Sequence, residues 1–132
     1  MPARRVRMFQ CIQQRSAIKS YVMKLSLELF SRLGKKHHYT VGQISRITEA
    51  AGLETDYLAY AHALFCDRTS FRRHYKRTDM RDQYEALRDE VSKRYFGGVS
   101  DFDATTIIDG VRSLQIDPQF YESGTGYLGM LT

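Results

Sequence analysis

The 132-residue chain contains no tryptophan, only two prolines and only two cysteines. The two cysteines, Cys11 and Cys66, are too few for the disulfide framework of a small secreted domain, and no apolar signal-peptide core opens the sequence. Both observations predict a reducing, cytoplasmic environment. No apolar run approaches the roughly 20 residues that a membrane-spanning helix requires, so we expect no membrane span. The scarcity of proline favours helical structure.

Acidic residues are nearly absent from the first third of the chain. Residues 1–46 carry ten Lys and Arg against a single acid, Glu28, whereas ten acids outnumber five bases from residue 78 onward. The net charge is +5. A basic front of this kind attracts nucleic acid, acidic lipid or an acidic protein. It also fits a domain whose two ends attract each other, so charge alone leaves the partner open.

A chain of this length can bury roughly two-thirds of the surface that its unfolded form exposes, which is enough for one core. We predict an all-α fold in which residues 1–117 form a single compact domain of five to six helices. Residues 118–132 contain three glycines and no helical period. We therefore expect them to form an irregular tail rich in glycine and aromatic residues.

Apolar spacing and capping residues locate the first two helices. Apolar side chains recur every three or four residues over 18–33, which predicts a helix that ends at Gly34. Whether this helix breaks near residues 24–26 stays open. Thr40 and Gln43 have the form of a capping box and begin a second helix, which Gly52 ends.

The segment over 49–58 has the form of the corner in a helix-turn-helix. Thr55 is the predicted cap of a third helix over 56–66, which is apolar on nearly every side and is therefore predicted to be central. In a DNA reader the start of this helix meets the bases between two rows of phosphates. Here the start carries two acids, Glu54 and Asp56, and no base. The corner is therefore interpreted as a structural one.

The remaining helices follow from aromatic spacing and from caps. A short helix is expected over 71–76, and Thr78 or Asp79 is expected to cap a longer one that ends at two glycines. A cap of the serine-x-x-acid kind at Ser100 predicts a last short helix that reaches about Asp109.

Several motifs resemble functional sites but lack a required part. Gly124, Gly126 and Gly129 match the dinucleotide fingerprint, yet only three residues follow, which is too few for the helix that binds the pyrophosphate. The acids over 101–109 begin like a calcium loop, but Arg112 stands where the closing glutamate belongs.

His62 and Cys66 lie four residues apart on the most apolar helix, where a metal ligand pair or a nucleophile and its base could also stand. A zinc site normally needs three or four protein ligands, and catalytic thiols need an electropositive, partly exposed setting. We interpret both residues as core. No catalytic residue, metal site or cofactor is predicted.

The stretch "SFRRHYKR", residues 70–77, interleaves aromatic and basic residues as nucleic-acid readers do. On a helix its two aromatic residues would face inward and leave the bases as a solvated rim. The candidate residues for phosphate or anion contact are Arg68, Arg72, Arg73, Lys76 and Arg77, joined by Lys35 and Lys36.

The stretches "IKSY" (18–21), "YTVGQI" (39–44), "GLETDYLAYA" (52–61) and "FCD" (65–67), followed by Phe71, resemble a family of short, uncharacterised bacterial proteins that is classed only as a domain of unknown function. The resemblance covers about residues 17–97. It implies a bacterial cytoplasmic origin and a small helical fold, and it transfers no catalytic residue.

We predict a non-enzymatic protein-interaction or regulatory module whose partner is another protein or a second copy of the chain. The predicted partner-binding residues are the aromatic and apolar ones of the tail: Phe120, Tyr121, Tyr127 and Leu128. The alternative is a nucleic-acid-binding protein that uses the basic surface from Arg68 to Arg77. An active site assembled from scattered acids and histidines stays open.

Overall fold

The computed structural model describes the backbone of residues 3–113 and the side chains of residues 12–113. In chain order its elements are α1 (Ala3–Ser20), a π-helical segment (Tyr21–Leu25), α2 (Ser26–Leu33), α3 (Val41–Ala50), α4 (Leu58–Phe65), α5 (Arg68–His74), a 3-10 turn (Asp79–Asp82), α6 (Tyr84–Tyr95) and α7 (Ala104–Arg112). The first three run without interruption, so this part of the chain forms six helical bodies. The prediction of an all-α fold with five to six helices is confirmed.

The long first helix continues without a break through residues 24–26, where the sequence did not decide between one helix and two. Over Tyr21–Leu25 it widens into the π-helical segment. Tyr21, Val22 and Leu25 in this segment are fully buried. The buried hydroxyl of Ser26 donates to the carbonyl of Val22 at 2.6 Å. A serine that bonds back in this way competes with the regular helical ladder, and such bonds often accompany bends. The π-helical segment therefore contributes its buried side chains to the core, and the helix continues into α2.

Helix α3 begins and ends as predicted. Thr40 Oγ1 accepts from the backbone N–H of Gln43, and Gln43 Oε1 accepts from the backbone N–H of Thr40, each at 3.0 Å. At the other end Gly52 adopts a φ of 72°, and the N–H of Leu53 bonds back to the carbonyl of Thr48 at 3.0 Å. These hydrogen bonds satisfy backbone groups that the helix itself leaves unpaired.

Helix α4 is central, as predicted, but it begins two residues late. The carboxylate of Glu54 accepts from the backbone N–H groups of Thr55 and Asp56, each at 3.0 Å. Those amides form a turn ahead of the helix, so Thr55 does not cap it and the first helical residue is Leu58. From Ala61 to Phe65 every side chain of α4 is buried, against α3 and α6 above all.

The caps of the last helices correct three predictions. Asp67 caps α5, which therefore begins three residues before the predicted Phe71. Thr78 caps the 3-10 turn and not α6. Asp103, and not Ser100, caps α7, because its carboxylate accepts from the backbone N–H of Thr106 at 3.1 Å.

Buried apolar side chains from all six helical bodies form one core. Its largest fully buried members are Tyr21, Leu25, Leu29, Ile44, Leu64, Phe65, Phe71, Tyr95, Ile107 and Ile108. The loop after α2 is tied to this core, since the N–H of Tyr39 donates to the carbonyl of Phe65 at 2.7 Å. Within residues 3–113, every helix is too short or too polar to cross a bilayer.

Candidate functional site

Three of the seven predicted anion-binding residues lie in ion pairs, so the basic surface is partly neutralised. Each pair has a nitrogen to oxygen distance of 2.9 Å: Arg68 with Glu85, Arg72 with Asp82, and Lys35 with Asp109. All six side chains are largely exposed. Exposed pairs of this kind contribute about 0–1 kcal/mol, so a phosphate could displace their carboxylates at modest cost.

The other four bases are exposed: Lys36, Arg73, Lys76 and Arg77. Within residues 12–113, no carboxylate lies within 4.0 Å of them. Three of the four lie on α5 or in the turn that follows it. Phe71 is buried, Tyr75 is half-buried, and their rings are 4.7 Å apart, so both aromatic residues face inward as predicted. The structure thus gathers a small basic rim around the end of α5.

The corner between α3 and α4 presents acids, as the sequence suggested. Glu54, Thr55 and Asp56 are all exposed. The carbonyl of Glu54 accepts a hydrogen bond from the hydroxyl of Tyr21 at 2.6 Å, which ties the corner to the π-helical segment. The corner therefore serves to join helices, and its negative charge faces outward, where a phosphate would be repelled.

A buried polar network surrounds His62, which is 2% exposed. Its Nε2 lies 2.8 Å from the hydroxyl of Ser45 and its Nδ1 lies 2.7 Å from the hydroxyl of Tyr75. The ring of His74 packs edge-on against His62 at 5.3 Å. Both ring nitrogens of the buried histidine thus have partners, which confirms the interpretation of His62 as core.

The network favours a neutral imidazole. Burial, assisted by the nearby His74, lowers the pKa of His62 to about 4. Burial likewise raises the pKa of Tyr75 to about 12 and that of Cys66 to about 12. A histidine that activates a serine must carry the proton it takes, usually with a carboxylate to stabilise the charge. Ser45 and His62 lie at a suitable distance, but this environment opposes the imidazolium that such chemistry requires.

A cleft of about 490 Å³ opens between the start of α5, α6 and the loop before α7. It is lined by Arg68, Tyr84, Glu85, Arg88, Asp89 and Ser100. Arg88 is only 8% exposed. Its Nη1 donates to the carbonyl of Ala63 at 2.9 Å and its Nη2 donates to the carbonyl of Phe102. The cleft therefore contains a buried, fixed guanidinium.

Arg88 was missed as a candidate by sequence reasoning. It follows Leu87 and lies four residues after Tyr84, so it borders the apolar stripe of α6. A charged residue beside an apolar stripe was the one feature of the sequence that indicated a buried charge. Its guanidinium lies 3.9 Å from the ring centre of Phe102 and 5.1 Å from that of Tyr84. Phe102 reaches it only through the tertiary fold.

A second, smaller groove of about 240 Å³ lies between α1 and the corner that precedes α4. It is lined by Ile12, Gln13, Ser16, Ala17, Ser20 and Glu54. Ile12 is 62% exposed, which is the largest value for a bulky apolar side chain within residues 12–113. Gln14, on the other side of the helix, donates to the hydroxyl of Tyr60. The structure thus holds α1 against the domain and leaves Ile12 in solvent.

The predicted contact residues of the tail and the acids that resemble a metal site lie in different parts of the chain. Phe120, Tyr121, Tyr127 and Leu128 lie outside the described residues, as does the proposed boundary between residues 117 and 118. For metals, residues 12–113 contain no group of three or more His, Cys, Asp or Glu side chains placed to hold an ion. Two of the acids that resembled a calcium loop have other partners, since Asp103 caps α7 and Asp109 pairs with Lys35.

Among known families, the model of a family described as "Family of unknown function (DUF6559)" matches residues 8–126. Comparison with curated proteins and with solved structures gave no match.

Proposed function

The chain belongs to the Family of unknown function (DUF6559), and we propose from its geometry that it is a protein-interaction module that binds an acidic partner protein along α1. One observation carries the proposal: Ile12 is 62% exposed on a helix whose Ala17 and Ile18 are buried in the core. A single exposed apolar residue is common on protein surfaces. Here it adjoins a groove, and the groove offers a place for an apolar side chain of the partner.

The charge around Ile12 selects the partner. Arg15 is exposed and Lys19 is half-exposed on the same helix, and the sequence has no acid before Glu28. Glu54 adds an exposed acid to the groove lining, so the two bases outnumber it. A partner segment with one apolar residue flanked by acids would bury that residue beside Ile12 and place its carboxylates near the bases. Complementary charges of this kind raise association rates and suppress wrong partners. A reducing cytoplasm, as the low cysteine content suggests, is the proposed compartment.

The experiment compares proteins that copurify with tagged forms of the chain from its own cell. Ile12→Glu places a negative charge in the groove and is expected to lose the acidic partner, and raised salt is expected to weaken the wild-type complex. Leu27→Glu is the matched control, because Leu27 is also a partly exposed apolar residue on the same helical rod. Identical recovery with both variants would remove α1 from the proposal.

Self-association is a separate version of the same proposal, in which the tail supplies the contact. Light scattering of the full chain and of a form that lacks residues 118–132 measures the mass of each. An unchanged state of association would exclude the tail as the contact.

The second candidate function is nucleic-acid binding at the end of α5. The observation in its favour is that Arg73, Lys76 and Arg77 are exposed and lie beyond 4.0 Å of any carboxylate in residues 12–113. Three phosphate contacts predict that affinity falls about 40-fold between 50 and 200 mM salt, whereas six or more would predict roughly 10³-fold or a larger loss. Fluorescence anisotropy with DNA and RNA oligonucleotides measures this slope. Binding that is absent at low salt would eliminate the candidate.

A further inference from the structure

The Arg88 cleft is defined by Arg68, Tyr84, Glu85, Arg88, Asp89 and Ser100. It shares Arg68 with the predicted basic surface, but Arg73, Lys76 and Arg77 at the end of α5 are not part of its lining. Its volume of about 490 Å³ lies within the range of small-molecule sites, which run from roughly 300 to 1,000 Å³. Arg88 enters it from the core side, whereas Arg68 and Glu85 are exposed at the rim.

Arg88 is an uncommon kind of buried charge. A guanidinium has five N–H donors, and the two carbonyls of Ala63 and Phe102 engage two of its nitrogens. Within residues 12–113, its surroundings supply carbonyls and aromatic rings but no carboxylate within 4.0 Å. Buried charges are generally paired, because removal from water costs several kcal/mol. The guanidinium is thus held in place with donors to spare.

The rim can open at low cost. Arg68 Nη2 lies 2.9 Å from Glu85 Oε1, and the two side chains are 58% and 72% exposed. A pair this exposed holds weakly, so the contact between Arg68 and Glu85 can separate at little cost when a ligand enters the cleft. Ser100, whose side chain carries a hydroxyl donor, also lines the cleft.

The acids of the lining restrict the ligand. The formal charges of Arg68 and Arg88 are balanced by those of Glu85 and Asp89. A polyphosphate or a nucleic-acid backbone would meet two carboxylates here, and like charges repel. A ligand that carries one negative and one positive group matches the lining, because each group finds an opposite charge.

We propose that the Arg88 cleft binds a small zwitterionic ligand of the amino-acid class, with its carboxylate on the guanidinium of Arg88 and its ammonium group toward Asp89. The planar fork of an arginine matches a carboxylate, and the two carbonyl contacts fix its orientation before the ligand arrives. Little side-chain freedom is then lost on binding.

The test is a titration of the full ¹⁵N-labelled chain with each of the 20 L-amino acids, in a buffer that contains no amine, carboxylate or phosphate. Acetate and methylammonium serve as the two halves of the ligand, and inorganic phosphate serves as a simple anion. We expect at least one amino acid to shift the amide resonances of residues 85–89 and 100, and to do so at lower concentration than either half. Three outcomes would overturn the proposal: phosphate causes the strongest shifts, acetate binds as strongly as any amino acid, or no ligand shifts the resonances of these residues.

Arg88→Gln changes a buried side chain and could unfold the protein, so loss of binding in that variant would not identify the site. The variants used are therefore at exposed residues of the cleft rim. Asp89→Asn is expected to weaken binding of the amino acid by about tenfold, the usual effect of losing one charged hydrogen bond, while acetate binding is retained or strengthened. Arg68→Gln is expected to weaken both ligands. Asp82→Asn is the matched control, because Asp82 is an exposed acid that pairs with Arg72 outside the cleft, and it should leave affinity within about twofold. Equal effects of Asp89→Asn and Asp82→Asn would contradict the assignment.

Discussion

At the scale of single residues, His62 links the core to pH. Its pKa is about 4 in the folded protein, against an ordinary value of 6.5. Between pH 6.5 and 4, His62 is protonated in the unfolded chain but stays neutral in the folded protein. The free energy of unfolding is therefore highest above about pH 6.5 and decreases as the pH falls toward 4. The difference corresponds to roughly 3 kcal/mol of unfolding free energy. We expect urea midpoints to fall from pH 7 to pH 5.

The control for this prediction is a variant that cannot titrate. His62→Gln loses hydrogen bonds to Ser45 and Tyr75 and should be less stable at every pH, but its stability should depend less on pH between 7 and 5. His38→Gln removes an exposed histidine and should keep the wild-type dependence. An equally steep dependence in His62→Gln would assign the effect to other groups.

Asp103 acts in the same direction as His62, but at lower pH. Partial burial alone would raise its pKa, but hydrogen bonds from Thr105, His37 and Thr106 outweigh burial and hold the pKa well below its usual range. Its contribution to stability is therefore present above the unfolded value of about 3.9 and is lost as the pH falls below it. These two residues should make acid unfolding occur in two ranges of pH, the first from His62 and the second from Asp103.

At the scale of elements, the caps decide where helices start. Thr40→Ala removes the acceptor for the N–H of Gln43 and should cost about 1 kcal/mol of unfolding free energy. Thr55→Ala is the matched change at a threonine with the same apparent role in the sequence. Because Glu54 holds the amides there, we expect an effect within about 0.5 kcal/mol.

Urea denaturation followed by circular dichroism measures both variants. If Thr55→Ala costs as much as Thr40→Ala, Thr55 caps α4 after all and the turn formed by Glu54 is not the dominant arrangement in solution.

At the scale of the whole molecule, one core joins all six helical bodies, and α4 lies at its centre. Leu64→Ala should therefore destabilise the protein by roughly 2–5 kcal/mol. Leu27→Ala changes a leucine that is 39% exposed and should cost about 1 kcal/mol or less. Unfolding can be followed by circular dichroism and by tyrosine fluorescence, since the chain has no tryptophan. The transitions measured by the two probes are expected to coincide, as they do for one cooperative domain. Separate transitions would show that parts of the core unfold independently.

Much of the local structure was predictable because the interactions that produce it are local. The capping box of α3 joins residues three apart, and the turn at Gly52 needs only a backbone that tolerates positive φ. The apolar character of α4 likewise predicted its central place. The caps at Thr55 and Ser100 were wrong because neighbouring carboxylates, on Glu54 and Asp103, accept backbone hydrogen bonds more effectively than a hydroxyl does.

The sequence by itself determined the helical class, the points where α3 starts and ends, and the separation of basic and acidic residues. Only the tertiary structure decided which charges meet. It paired Arg68 with Glu85 and Lys35 with Asp109. It also placed the guanidinium of Arg88 between Ala63 and Phe102, and set His62 between Ser45 and Tyr75. The physical reason is distance along the chain: helix periods and caps act over a few residues, whereas these partners come together only when the helices pack.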